Sequence, residues 1–163
     1  MREAAGGVGG DSTESVVGAV CAVAREYGHG ERLRVTHDIG ADQVSRRTQA
    51  PFGSATDPGG SLPHEGFVEI ASTPAVEVTV YPDGDAAIDV DGVEFRDVPR
   101  EQAPAFLRAV YDGSAYVHRK VFPPQLWLVV PLPDGTAHRE LVLPLVTTPW
   151  LRGRARPTPG TSG

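Results

Sequence analysis

The chain has one cysteine, one methionine and one lysine among 163 residues. A lone cysteine, Cys21, excludes an internal disulfide framework. It sits between Val20 and Ala22 in an apolar stretch, the setting of a buried inert thiol rather than a nucleophile. Long hydrophobic runs are missing too, and nothing approaches the roughly 20 residues that a membrane helix needs. Val16 to Ala24 has the length of a signal-peptide core, but Glu3, Asp11 and Glu14 give the preceding segment the wrong charge for secretion. There is no GxSxG, P-loop or GxGxxG motif. Gly6 to Gly10 is glycine-rich, but no strand precedes it, so it does not form a phosphate cradle. The histidines, His29, His37, His64, His118 and His138, form no HxxxH or HExxH pair.

Positive charge is also scarce, and the formal net charge is -6. That balance opposes a general affinity for nucleic acid. Fourteen arginines against the single Lys120, with abundant Ala, Gly, Pro and Val, suit a GC-rich bacterial source.

What is present is a block of apolar periodicity from Ala75 to Leu143. Val76, Val78 and Val80 alternate with Glu77, Thr79 and Tyr81, the period of a half-buried strand. Pro82-Asp83-Gly84-Asp85 reverses the chain. Ile88 and Val90 form a second strand, Asp91-Gly92 a second hairpin turn, and Val93 and Phe95 a third strand. The period then becomes helical, with Ala103, Phe106, Leu107, Val110 and Tyr111 on one stripe. Asp112-Gly113 stops that helix. Ala115 to Phe122, Leu126 to Val130 and Ala137 to Leu143 follow as strands. Leu126 to Val130 is apolar on both faces, so Trp127 is expected to be largely buried.

The expected fold is therefore α+β: an antiparallel sheet of five to six strands in the order β-β-β-α-β-β-β, with one packed helix and an additional N-terminal helix. That N-terminal helix runs from about Thr13 to Tyr27, with capping chemistry before it at Asp11-Ser12-Thr13-Glu14. Residues 1–12 are expected to be a disordered N-terminus, and 13–65 the helix followed by an irregular linker. Leu33 to Thr36 is a short strand candidate, Ala41 to Thr48 a weak helix, and the proline-rich stretch from Ala50 to Glu65 a loop. The core domain spans 66–151, opening on a strand at Gly66, and 152–163 is a disordered Arg/Pro/Gly tail.

Three constellations carry candidate chemistry. The first is acidic: Glu77 to Glu101 holds eight carboxylates against Arg96 and Arg100. Its spacing is not that of a calcium loop, because the fifth position is Ala87 counting from Asp83 and Val93 counting from Asp89. Asp-Gly recurs at 83, 91, 112 and 134, always between elements, where hairpins need it for its backbone alone. Glu77, Asp83, Asp85, Asp89, Asp91 and Glu94, with Tyr81 as an aromatic anchor, define a partner surface. The second constellation is His118, His138 and Glu140, a metal or ligand cluster if their strands are neighbours. The third is Arg46 and Arg47 with the arginines of the C-terminal tail. Val44-Ser45-Arg46-Arg47 lies too close to Gly40 for a helix-turn-helix, and Pro51 cuts the helix off.

No catalytic constellation stands out, and no cofactor is expected. The leading expectation is a small cytoplasmic protein-binding module with a basic protein partner. The alternative is an enzyme or a small-ligand or metal-binding protein centred on His118, His138 and Glu140. A weak nucleic-acid binder is the third reading.

Overall fold

The computed structural model describes residues 12–37 and 65–156. The expected helix at Ala41 to Thr48, the loop before Glu65, and Arg46 and Arg47 lie outside the described residues, as do 1–11 and 157–163. Helix α1 spans Thr13–Glu26, and Ser12 caps it by accepting a hydrogen bond from the Ser15 amide at 3.2 Å. That bond satisfies one of the orphan donors of the first turn. Strand β1 is Leu33–His37 and β2 is Gly66–Ile70; β3 is Val76–Val80, β4 Asp85–Val90 and β5 Val93–Pro99. Helix α2 is Ala103–Tyr111. Strands β6 (Tyr116–Lys120), β7 (Gln125–Pro131) and β8 (Ala137–Leu141) follow, then a short helix α3 (Pro149–Gly153) and a two-residue strand β9 (Ala155–Arg156).

The fold is α+β. The expected antiparallel strands divide between two sheets. One is a five-stranded antiparallel meander, β1-β2-β3-β4-β5. The other runs β8-β7-β6-β9, with β9 parallel to β6. The break falls where α2 takes the chain from β5 to β6.

Alternation sets which face of the meander is buried. Val68, Ile70, Val76, Val78, Val80, Ala86, Ile88 and Val90 are all fully buried on its inner face. Strand β5 breaks the period of two. Phe95 and Val98 are both buried although three residues apart, because Arg96 and Asp97 together oppose the single Ala87. Asp97 adopts φ 57° in this bulge, a conformation that Asp tolerates better than bulkier residues.

Helix α1 lays Val16, Val20 and Val23 on α2, β2 and β3. Helix α2 also packs on β7, and its Phe106 meets Phe95 edge-to-face with ring centroids 4.9 Å apart. One hydrophobic core therefore runs through both sheets and both long helices.

The Asp91-Gly92 turn locks the C-terminal segment onto the meander. Asp91 accepts from the Ala75 amide at 2.9 Å and from the Thr148 hydroxyl at 2.6 Å. Gly92 has φ +86°, and a Cβ there would stand 2.6 Å from a Val146 methyl, so a side chain is excluded by both strain and space.

Trp127 is intermediate in exposure and stands outside the core, projecting from the face of β7 opposite Leu128 and Val130, beside His118 and Leu141 in register. The core takes Leu128 and Val130 instead.

Candidate protein-binding face

The outer face of the meander carries a strongly patterned polar surface. The register aligns Arg34, Glu69, Glu77, Asp89 and Glu94 in a single row across all five strands. Neighbouring strands lie about 4.8 Å apart, so the four carboxylates form a band of roughly 15 Å. Glu77 and Glu94 are exposed, and Glu69 and Asp89 half-buried. Three successive neighbour pairs, Glu69–Glu77, Glu77–Asp89 and Asp89–Glu94, join like charges directly opposite one another. Each such pair is destabilising.

Among the described residues, cations stand only at the ends of the band. Arg34 pairs with Glu69 at 3.3 Å and Arg96 with Glu94 at 2.7 Å, both in exposed settings where ion pairs contribute little. In the adjacent row Thr36, Phe67, Thr79 and Ala87 are uncharged, and on β5 the row meets the Arg96–Asp97 bulge. No described element lies over this face.

The sequence-selected acids separate into two groups. Glu77, Asp89 and Glu94 belong to the band. Tyr81, Asp83 and Asp85 lie at the β3–β4 turn, with Tyr81 half-buried and Asp83 and Asp85 exposed. Asp91 sits at the other end of β4, and its carboxylate is spent on the Ala75 amide and the Thr148 hydroxyl. It is a structural clasp rather than a contact residue. Asp89 is also partly engaged, accepting from the Gly92 amide at 2.7 Å. Glu69 is the residue that sequence reasoning missed. Its strand was visible, but only the register of β2 against β3 reveals that it extends the band.

The His118, His138 and Glu140 cluster is not assembled. Strand β7 separates β6 from β8. His118 pairs with Trp127 and His138 with Val130, three positions apart on β7, so the two imidazoles project from opposite faces. His138 and Glu140 share a face, and exposed His118 stands alone on the other. Among the described residues no group of three or more His, Cys, Asp and Glu could hold a metal ion.

His138 has a local partner set instead. Its Nε2 lies 2.8 Å from Gln102 Oε1, and the Gln102 amide donates to Asp134 at 3.4 Å. That orientation of the amide makes the His138 Nε2–H the donor. Its ring packs on Phe106, centroids 5.7 Å apart. Burial pushes the His138 pKa down, against a smaller upward pull from the Asp134 charge. Cys21 is buried, and desolvation raises its pKa against a weaker opposing effect of Arg25, which leaves the thiol protonated and inert.

No family model, curated protein or solved structure matches this chain. Among the described residues no helix is long and apolar enough to cross a membrane.

Proposed function

We propose that this chain is a small protein-binding module whose acidic sheet face receives a basic protein partner in a bacterial cytoplasm. One observation carries the reading: four carboxylates stand in register across four strands on a face that no described element covers. Like-charge neighbours cost stability in the isolated chain. Lysines or arginines of a partner, set between them, turn that repulsion into attraction. A band of one sign also accelerates encounter with a cationic surface, in a way that salt weakens. Phe67 in the adjacent row and Tyr81 at the turn supply half-buried aromatic surface for contact. The single cysteine fits a reducing compartment.

The test replaces Glu69, Glu77 and Glu94 with glutamine. None of the three carboxylates bonds a backbone amide, so the fold stands. Zero-length carbodiimide cross-linking in native lysate should join partner lysines to Glu69 and Glu77 of the parent at low salt. The triple variant should lose those partners, and high salt should abolish the difference. Equal recovery of the same proteins by parent and variant at low salt would reduce the band to a solvated surface.

A further inference from the structure

A second surface has the opposite character. The core packs on one side of the smaller sheet, against Leu128 and Val130, and leaves Trp127 on the other. Register lays a row across all four strands of that outer side: Leu141 on β8, Trp127 on β7, His118 on β6 and Arg156 on β9. An indole, an imidazole and a guanidinium therefore stand side by side, on strands about 4.8 Å apart. Tyr116 projects from the same side two residues along β6, and the Arg156 guanidinium stacks 4.2 Å from the centroid of its ring. Charge flanks the row. Arg139 stands beyond it on one side, in register with Val129 and Tyr116, and Lys120 beyond it on the other, opposite Gln125. His118, Lys120, Arg139 and Arg156 are exposed, and Trp127 and Tyr116 half-buried. Phe122, in the β6–β7 turn, is 87% exposed. Among the described residues no carboxylate projects from this side of the four strands. In a chain of net charge -6 that is a local reversal of sign.

We propose that this side of the smaller sheet binds single-stranded nucleic acid, bases on the planar row and phosphates on Arg139 and Lys120. Unpaired bases stack on aromatic side chains and on guanidinium planes, whatever their sequence, because every base has a π-face. Trp127 and His118 supply ring surface. Arg156 rests one face of its guanidinium on Tyr116 and leaves the other for a base. Cations on both sides of the row suit a strand whose phosphates run past its bases. Such contacts use exposed, hydrated cations, since the affinity comes from counterions that the strand releases. A duplex fits poorly, because its bases are already stacked on one another and out of reach of rings set on a sheet. The net negative charge opposes nucleic acid in general, but the acidic band lies on the other sheet, and the local sign decides where a strand is held. An acidic polypeptide would engage the cations and leave the planar row without a partner.

The probe is a fluorescein-labelled oligothymidylate of about 12 nucleotides, titrated with the full chain and followed by anisotropy. Saturable binding is expected, at least tenfold tighter than to a duplex of the same length, with quenching of tryptophan emission. Three phosphate contacts predict a slope of log affinity against log salt of about -2, and Lys120→Gln should reduce its magnitude by about 0.7. Trp127→Leu should weaken binding about tenfold and remove most of the quenching while leaving the salt slope in place. Arg32→Gln, which removes an exposed charge ahead of β1 on the other sheet, should change nothing. Unchanged melting temperatures separate these effects from misfolding. Equal affinity for the duplex, binding indifferent to Trp127→Leu, or equal weakening by Arg32→Gln overturns the proposal. So does salt-sensitive self-association, lost in both Arg139→Gln and Glu77→Gln, in a chain that leaves the oligonucleotide unbound. That result would assign this face to the acidic band of a second copy.

Discussion

Two carboxylates and one imidazole show how the fold uses side chains that look like chemistry. Asp91 and Asp134 sit in Asp-Gly turns and spend their oxygens on neighbouring donors; for Asp134 these are the Thr136 amide at 2.8 Å and hydroxyl at 2.6 Å. Those bonds hold the Asp134 carboxyl below the ordinary range. His138 joins this turn to the start of α2 through Gln102. The two groups respond to pH in separate windows. Burial disfavours the His138 cation, so its folded pKa lies below its unfolded one. Stability is then greatest where the ring is neutral, and falls as pH drops below about 6.5. Asp134 acts lower: its contribution is complete above about pH 4 and is lost as pH falls through its depressed folded pKa. Melting temperature recorded from pH 8 to 5 should therefore decline for the parent, and His138→Gln should flatten part of that decline. A variant with the parent's slope would remove His138 from the acid response.

Among the elements, the five-stranded meander is where stability and binding are expected to oppose each other. Removing one charge from the centre of the band relieves two like-charge contacts, those of Glu77 with Glu69 and with Asp89. Glu77→Gln should stabilise the fold by about 0.2–1 kcal/mol, more at low ionic strength than at high. Urea unfolding at two salt concentrations measures it, and a destabilised variant would show that Glu77 has a favourable partner. The strands of this sheet were legible in the sequence because Val alternates with polar residues and Asp-Gly marks the turns. All four Asp-Gly glycines, at 84, 92, 113 and 135, do take positive φ between elements. The register was not legible, and with it went Glu69. The bulge at Arg96 and Asp97 was hidden because it restarts the alternation, which leaves Val98 inside without a period-2 signal. The same gap misplaced the histidines. Strand order decides whether His118 and His138 meet, and local pattern carries no strand order. That Trp127 stands outside the core was not legible for a related reason: an apolar run shows that both faces of β7 are greasy, not which one the core takes.

For the whole molecule, the question is where the folding unit begins. Periodicity placed the core domain at 66–151, because the pattern before Gly66 is weak. In the structure α1 shares the core: Val20 and Ala24 are fully buried, Val16 and Val23 nearly so, and β1 pairs with the edge of β2 along its length. Each buried valine contributes roughly 1.5–3 kcal/mol, against a total stability of about 5–15 kcal/mol for a domain of this size. Val16, Val17, Val20 and Val23 therefore represent most of the margin, before the lost β1–β2 ladder is counted. A chain beginning at Gly66 would also expose Val68, Val76 and the edge of β2, an invitation to association. It should lack a cooperative thermal transition and should bind a hydrophobic dye such as ANS. The full chain with Val20→Asp should weaken in the same direction, because an unpaired carboxylate would replace a methyl-lined contact between α1 and the sheet. Cooperative melting of the shortened chain near the parent temperature would show that the two sheets and α2 close a sufficient core by themselves. The helix would then be a cover laid on a finished domain, and the face beneath it a second docking surface.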